Sequence, residues 1–420
     1  VLTDAVEVEE RLARMVDGYL HHDRPIVRPA DDSVFRRIGN RPKPIRLGRG
    51  TAPLEIELPV TLPEPTLAVG GHMKNAISLA WGNRLVVSPH IGDMGTTRSL
   101  EVFERVVNDM QELYGIKAEA IVCDAHPDYV TSRWARRQEL PVHEVLHHYA
   151  HASAAAIDWQ DDGPGVVFAW DGVGYGADGS LWGGEALMGR PGQWQRAASM
   201  RPFRLPGGER AGREPWRSAA ALCWESGRTF AGTPEGAELA RMAWEKNMNC
   251  PTTTAVGRLF DAASALVGLV VSSSFEGQGP MNLEAQSGPV GGGIELPLFS
   301  DKNGCLVTDW EPVLDLLSNQ SISVEERAAA FHDTMALALV AQAKRLRIDC
   351  GVERVGLSGG VFQNRLLTDR CLELLSEDGF DVMQDERLPV NDGGLSAGQI
   401  IEFAARQNQL ARPELDEKKE

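Results

Sequence analysis

The chain has 420 residues, of which 43% are hydrophobic and 24% are charged, so it is typical of a globular protein and too long for one small core. Its net charge of −17 argues against a broad phosphate-binding surface of the kind that nucleic acids require. No apolar run reaches the roughly 20 residues of a membrane helix, and the six cysteines include no C-x-x-C pair. We therefore expect a cytoplasmic protein of several domains, with no membrane and no nucleic-acid partner.

Residues 1–62 are expected to form the end of one α/β unit and a linker. Residues 6–16 have helical periodicity, and an arginine-rich stretch follows at 36–49. Prolines at positions 59, 63 and 65 then predict the linker.

A repeated pattern follows this linker. Residues 67–87 contain a buried-type strand, a Gly-Gly turn and returning strands, and residues 166–184 contain the same sequence of elements. A hairpin that opens each half of an α/β protein is typical of the actin-like (ribonuclease-H-like) ATPase fold with duplicated lobes. We expect one lobe at 63–160, a second lobe with insertions at 161–408, and a charged, disordered tail at 409–420.

Other elements are predicted from periodicity and caps. Ser323 and Glu326 form a capping box that begins a long helix. The remaining expected elements are strands at 120–123, 141–145 and 355–357, and helices at 129–137, 215–226, 234–247, 254–266 and 395–407.

A histidine cluster is the strongest chemical signal. Four of the ten histidines lie within residues 143–151. His147 and His151 are four residues apart at the start of a helix-forming run, so both imidazoles can lie on one helical face and bind one metal. Two histidines rarely complete a site, so further ligands must come from elsewhere, and a core-packed histidine cluster is an equally good interpretation of the pair alone.

Two short motifs are rejected from their context. The glycine pattern at 174–179 spells a dinucleotide fingerprint, but residues 180–184 cannot form the helix that it must open. The G-x-S-x-G pattern at 356–360 spells a nucleophile elbow, but no histidine follows Ser358 to complete a triad.

A third motif stays open as an alternative. Residues 143–147 spell the H-E-x-x-H of zinc metallopeptidases, which requires both histidines on one helix. Pro141 and the β-branched Val145 favour a strand here, and no glutamate occurs between Glu144 and Glu185 to serve as the ligand that many such enzymes carry.

Several blocks taken together closely resemble the carboxy-terminal part of HypF, the carbamoyltransferase family of nickel–iron hydrogenase maturation. The blocks are DDSV at 31–34, RLGRG at 46–50, HIGD at 90–93, DAHPDY at 124–129, HHYAH at 147–151, DGVGYG at 171–176, LWGGE at 181–185, FEGQ at 275–278, LSGGVFQN at 357–364 and NDGG at 391–394. The resemblance covers residues 6–405.

This resemblance implies an architecture and a reaction. It implies the tail of a YrdC-like domain at 1–62 and a complete actin-like domain related to the tRNA threonylcarbamoyl transferases. Family members convert carbamoyl phosphate and ATP into carbamoyl-adenylate. They then carbamoylate the C-terminal cysteine of the partner HypE, and this carbamoyl group becomes the precursor of the cyanide ligands on the hydrogenase iron. Because most of the YrdC-like domain is absent from this sequence, we expect the transfer half of the chemistry, in a natural short form or a fragment.

The resemblance also implies a metal site. His147 and His151 match the family's metal-binding histidines, Asp392 matches a third ligand, and Asp171 is expected as a fourth ligand and catalytic residue. Such a donor set suits one divalent metal, iron or zinc, with magnesium accompanying the nucleotide. A metal there could polarise the carbonyl of the carbamoyl group.

The expected nucleotide contacts come mainly from the second lobe. Lys74, followed by Asn75, is expected to face phosphate and to be catalytic; for Lys74 and Glu276 an ordinary surface charge is the alternative. The residues expected to bind the nucleotide are Ser358, Gly359, Gly360 and Asn364 at a phosphate-binding turn, and Glu276 at the ribose.

Other functions stay open. A tRNA threonylcarbamoyl transferase is disfavoured by the charge of −17, and a small-molecule O-carbamoyltransferase is harder to exclude. A non-catalytic nucleotide-binding scaffold is an alternative from another class. No cysteine of this chain lies at a recognised nucleophile position, so the thiol is expected to come from the partner.

Overall fold

A computed structural model describes residues 2–159, 163–383 and 386–410. From residue 411 onward the predicted tail, 409–420, lies outside the described residues; residues 409 and 410 end the last helix. The elements of the amino-terminal part and first lobe are α1 (Ala5–Leu12), β1 (Val34–Ile38), β2 (Arg41–Arg46), β3 (Leu54–Glu57), β4 (Thr66–Ala68), β5 (Ser78–Trp81), β6 (Arg84–Val87), α2 (Thr97–Tyr114), β7 (Ala120–Asp124), α3 (Val130–Ala135), β8 (Val142–Val145) and α4 (His147–Ala155).

The second lobe is larger and carries the insertions. Its elements are β9 (Gly165–Tyr175), β10 (Leu181–Gly189), β11 (Gln195–Met200), β12 (Phe203–Arg204), α5 (Pro215–Glu225), α6 (Glu238–Glu245), β13 (Thr252–Thr253), α7 (Val256–Leu266), α8 (Gln278–Gln286), β14 (Leu298–Ser300), β15 (Leu306–Thr308), α9 (Pro312–Ser318), α10 (Val324–Cys350), β16 (Arg354–Ser358), α11 (Arg365–Glu377), β17 (Asp381–Met383) and α12 (Leu395–Leu410). No helix among the described residues is both long enough and apolar enough to cross a membrane.

The two lobes have the same sheet topology. In the first sheet the order is β6–β5–β4–β7–β8, in which β4, β5 and β6 are antiparallel and β7 and β8 run parallel to β4. In the second sheet the order β11–β10–β9–β16–β17 repeats these relations strand for strand. The predicted actin-like α/β fold with duplicated lobes is thereby confirmed.

The edges of the sheets carry additional strands. β3, which lies in the segment expected to be a linker, pairs with β6 and extends the first sheet. β15 pairs with β11, and β14 extends that edge of the second sheet. The domain boundaries, including the assignment of residues 1–62 to a YrdC-like domain, remain predictions.

Two helices cross between the lobes. Helix α4 follows the last strand of the first sheet, but its Ala152 and Ala155 pack in one apolar cluster with Val167 and Ala169 of β9 in the second sheet. Helix α12 follows the last strand of the second sheet, but its apolar residues pack on the first sheet, with Ile400 in the same cluster as residues of β4 and β5. The lobes are therefore joined through the two helices that lead away from their final strands.

Local sequence explains where the main helices begin and end. Both hydrogen bonds of the predicted capping box between Ser323 and Glu326 are present at the start of α10, and Gly351 ends that helix in the left-handed region, with φ of 70°. The helices predicted at 215–226 and 254–266 correspond to α5 and α7, whereas the one predicted at 234–247 is shorter, at α6. The predicted helix at 6–16 ends at Leu12, after Asp4 caps its start.

The crossing of α4 and α12 yields a testable prediction. A Cβ atom at Gly398 of α12 would overlap the carbonyl oxygen of Ala150 on α4, so only glycine allows this approach. In an ordinary helix Gly→Ala is stabilising, but here we expect Gly398→Ala to lower the free energy of unfolding by about 2 kcal/mol, because the helices must separate. Urea denaturation measures this change.

The control for this substitution is Gln407→Ala in the same helix, where the side chain is only half-buried. We expect it to change the free energy of unfolding by less than about 0.5 kcal/mol. A Gly398→Ala variant as stable as the wild type would contradict the tight crossing.

Candidate metal centre and nucleotide cleft

Four predicted metal ligands come together from both lobes. His147 and His151 lie one turn apart at the start of α4, Asp171 lies on β9, and Asp392 begins the short 3-10 helix that precedes α12. One donor atom from each lies within 4.8 Å of all the others. We call these four residues the His–Asp cluster.

Each of the two imidazoles directs its Nε2 atom toward both carboxylates. Nε2 of His147 lies 3.2 Å from Oδ2 of Asp171 and 3.8 Å from Oδ1 of Asp392. Nε2 of His151 lies 3.3 Å and 3.5 Å from the same two atoms. This convergence of nitrogen and oxygen donors is what a divalent metal requires.

The other ring nitrogen of each histidine is held by the protein. Nδ1 of His147 lies 2.7 Å from Oδ2 of the buried Asp124, and Nδ1 of His151 lies 3.3 Å from the hydroxyl of Ser358. Nε2 of His151 is buried, and although carboxylate oxygens lie 3.3 Å and 3.5 Å away, it makes no well-aligned hydrogen bond to a described residue. An oriented imidazole whose buried nitrogen faces carboxylates without good hydrogen-bond geometry fits a metal ligand, because coordination would offset the cost of burying that nitrogen.

Burial and charge act in opposite directions on these groups. Burial alone would lower the pKa of His147, but its hydrogen bonds and charge interactions with Asp124 and Asp171 raise that pKa well above its usual value. Burial alone would raise the pKa of Asp171, but the two histidines hold it well below the usual range. The carboxylate of Asp171 is therefore negatively charged, as a metal ligand must be.

A glycine leaves room for the histidines. A Cβ at Gly174 would lie 2.5 Å from Cε1 of His148 and 2.7 Å from Cδ2 of His147. Gly174 is therefore required by close approach, whereas in the sequence it belonged to the rejected dinucleotide pattern and to the DGVGYG block.

The structure does not supply the helix of a zinc metallopeptidase. His143 and Glu144 lie on strand β8, as their neighbours predicted, and only His147 lies on a helix. The ring of His143 packs on Phe403, 4.7 Å away, and Glu144 binds Arg136. The H-E-x-x-H geometry is thus absent.

The predicted phosphate-binding turn follows β16. Gly359 has φ of 100°, and the amide of Gly360 donates to Oδ1 of Asp171 at 3.2 Å, so the turn lies directly beside the His–Asp cluster. Asn364 does not lie inside a helix but caps α11: its Oδ1 accepts from the amide of Leu367, and its Nδ2 contacts His332. The Asn364 amide is thus committed to protein contacts.

Lys74 and Glu276, predicted to contact phosphate and ribose, contact each other. Nζ of Lys74 lies 2.6 Å from Oε2 of Glu276, which joins the β4–β5 turn of the first lobe to the loop before α8 of the second. Burial lowers the pKa of Lys74, but Glu276, Asp392 and Asp171 raise it above its usual value, so the ammonium lies within the field of the cluster. Lys74 itself has φ of 45°, an uncommon conformation for a residue with a side chain.

Asn75 does not face the cleft. Its side chain is fully buried, and its Nδ2 donates to the carbonyl oxygens of Val69 and Gly71, both at 2.8 Å. The expectation that Asn75 faces phosphate is wrong, because this amide closes the turn that presents Lys74.

Sequence reasoning missed two buried acids. Asp124 follows the strand predicted at 120–123, as Asp171 follows the strand at 166–170, so the repeated topology was a usable signal. Asp261 on α7 pairs with Arg258 at 2.8 Å, and burial raises its pKa to about 6 although Arg258 opposes this. Arg258 lies close to the residue after Asp171, since a Cβ at Gly172 would lie 3.5 Å from its Nη2.

All comparisons with known protein families and curated relatives point to HypF carbamoyltransferases. The family model described as "HypF Kae1-like domain" matches residues 61–158, and the one described as "Carbamoyltransferase, Kae1-like Domain, second subdomain" matches residues 167–399. The chain is 36% identical to a carbamoyltransferase HypF of Synechocystis sp., covering 97% of this chain and 56% of that protein. It is 33% identical to a carbamoyltransferase HypF homolog of Cupriavidus necator, covering 82% of this chain and 92% of that protein.

A solved structure agrees with these relatives. The crystal structure of full-length HypF in the phosphate- and nucleotide-bound form has a TM-score of 0.90 and 29% identity, covering 97% of this chain and 55% of that one. The chain thus spans about half the length of most curated relatives that it matches.

The orientation of His147 yields a prediction about metal affinity. Replacing Asp124 by Asn weakens the hydrogen bond that directs Nε2 of His147 into the cluster, so we expect the affinity for Zn²⁺ to fall about 10- to 100-fold. Titration against a competing chelator measures it. The matched control, Asp128→Asn, changes an exposed acid in the same segment and should leave the affinity unchanged; equal affinities for both variants would contradict the role of Asp124.

The pair of Lys74 and Glu276 yields a second prediction. If both residues contact the nucleotide, Lys74→Glu should weaken ATP binding roughly tenfold through the loss of a charged hydrogen bond. The exchange of the two residues, Lys74→Glu with Glu276→Lys, should then fail to restore it. Calorimetric titration with ATP measures both variants. Full recovery in the exchanged variant would mean that the pair only joins the lobes.

Proposed function

The chain belongs to the HypF carbamoyltransferase family, and we propose on this premise that it transfers a carbamoyl group from carbamoyl-adenylate to the thiol of a partner protein. Carbamoyl-adenylate would derive from carbamoyl phosphate and ATP. The partner would be a HypE-like maturation protein with a C-terminal cysteine as acceptor.

The observation that carries this proposal is the His–Asp cluster beside a glycine turn. Two imidazole nitrogens and two carboxylate oxygens within 4.8 Å of one another form a compact site for iron or zinc. Such a metal, when bound, supplies Lewis acidity toward a carbonyl or phosphoryl oxygen. The amide of Gly360 donates to Asp171, so the glycine turn lies directly beside the His–Asp cluster.

We propose that a nucleotide binds between the lobes, beside the pair of Lys74 and Glu276. The full-length HypF that this chain resembles was crystallised with phosphate and nucleotide, and we propose the same class of ligand here. Lys74, which pairs with Glu276 across the lobes, would exchange this partner for an anionic ligand as the nucleotide binds. Glu276 would then be free to accept hydrogen bonds from the ribose.

The proposed transfer step changes no oxidation state and needs no oxidant or reductant. The acceptor thiol releases its proton to solvent, its sulfur forms a bond to the carbonyl carbon, and the bond from that carbon to the AMP oxygen breaks. AMP leaves with the electron pair of that bond. Cys123 is unsuited to be the nucleophile, because burial raises the pKa of its thiol to about 11.

The direct test combines the chain with pre-formed carbamoyl-adenylate and a HypE-like acceptor, followed by mass spectrometry of the acceptor. We expect a mass gain of one carbamoyl group, located on the C-terminal cysteine. The His151→Gln variant should lose about 100-fold or more in rate, because it removes a donor from the cluster.

The matched control is His143→Gln, which changes a neighbouring histidine that lies on β8 outside the cluster. It should transfer at the wild-type rate. Nucleotide binding without any mass gain would contradict the proposal and favour a scaffold. A carbamoyl group found only on a small-molecule hydroxyl would instead favour an O-carbamoyltransferase.

A further inference from the structure

A series of stacked rings lies on the first-lobe side of the His–Asp cluster. The ring of Tyr129 stacks on His126 with centroids 4.1 Å apart and an interplanar angle of 9°, and on His72 with centroids 5.5 Å apart. The ring of Tyr175, from the second lobe, meets His126 edge to face, with centroids 5.7 Å apart. We call these four residues the ring stack. A tyrosine held between two imidazoles has little freedom to rotate.

One carboxylate places both the ring stack and a cluster histidine. Oδ1 of Asp124 accepts from the amide of His126 at 2.8 Å, while Oδ2 binds Nδ1 of His147 at 2.7 Å. The amide of Asp128 donates to Nδ1 of His126, which fixes that ring. Tyr129 follows directly, so its position is set relative to His147 through a short, rigid segment.

The Tyr129 hydroxyl has no hydrogen-bond acceptor in the part of the chain that the structure describes. Among residues 2–159, 163–383 and 386–410 it makes no hydrogen bond to another residue. Burial, followed by the charges of Asp124, Asp392 and Asp171, raises the pKa of Tyr129 well above its usual value. The phenol therefore keeps its proton at neutral pH, within the field of Asp124 and of the two carboxylates of the His–Asp cluster.

We propose that Tyr129 is a further catalytic residue, whose hydroxyl donates a hydrogen bond to the carbonyl oxygen of the carbamoyl group during transfer. This inference rests on the proposed function. As sulfur attacks the carbonyl carbon, negative charge accumulates on that oxygen, and a fixed donor stabilises it. The phenol keeps its proton throughout, and AMP leaves with the electron pair of the broken C–O bond.

A structural role alone explains the ring but not the hydroxyl. Stacking between His72 and His126 requires an aromatic ring, which phenylalanine would supply equally well. The hydroxyl of Tyr129 is not fully buried and no described residue accepts from it, so it is available to donate to a ligand.

The first test is the single-turnover rate of Tyr129→Phe with pre-formed carbamoyl-adenylate and the acceptor. We expect this rate to fall about 100-fold, as for the loss of one oxyanion donor, with the affinity for ATP and the thermal midpoint unchanged. The matched control is Tyr149→Phe. Tyr149 lies on α4 between the ligand histidines, but the charges that act on its phenol are those of Glu402, Arg406 and Arg196. It should keep the wild-type rate.

A second measurement does not depend on turnover. The chain has five tyrosines, so fluorotyrosine labelling gives few ¹⁹F resonances, and the Tyr129→Phe spectrum identifies the one from Tyr129. Without acceptor, that resonance should shift with carbamoyl-adenylate and not with AMP, which lacks the carbamoyl group.

The outcomes separate the two proposals. If the wild type carbamoylates the acceptor and Tyr129→Phe does so within about twofold of that rate, the role of Tyr129 is wrong and the proposed function stands. Equal shifts with AMP and carbamoyl-adenylate would also overturn it. If the wild type transfers no carbamoyl group, both proposals fail.

Discussion

The candidate site depends on the crossing of α4 and α12. Each helix follows the last strand of one lobe and packs on the sheet of the other, and the two touch where Gly398 meets the backbone of Ala150. His147 and His151 lie on α4, and Asp392 lies shortly before the first residue of α12. The distance between these candidate ligands is therefore set by helix packing, which is stiffer than a loop.

The electrostatic composition of the site follows from this packing. Asp124, Asp171 and the two histidines are buried or nearly so, and three carboxylates face two imidazoles there. Burying several acids near each other is costly unless cations compensate. Protonated histidines compensate in part, and a divalent cation would do so more completely while satisfying Nε2 of His151.

The sequence predicted those parts of the site that local pattern or family resemblance encodes. The spacing of His147 and His151 predicts a shared helical face, and the structure has it. The contacts of Asp124 and Gly174 were not predicted, because they arise where strands of both lobes meet the histidines of α4. The pairing of Lys74 with Glu276 was not predicted either, because the two residues are 202 positions apart and local sequence patterns carry no information about such contacts.

The hairpin of β1 and β2 has a consequence for the metal centre. Its backbone at Ile45 accepts a hydrogen bond from Asn391, the residue before Asp392, and the amide of Gly39 at its tip donates to Asp369 of α11. The same Asn391 caps the turn that holds Asp392, by accepting from the amide of Gly393. The position of this hairpin is thus linked to the backbone around Asp392 through two hydrogen bonds of one side chain.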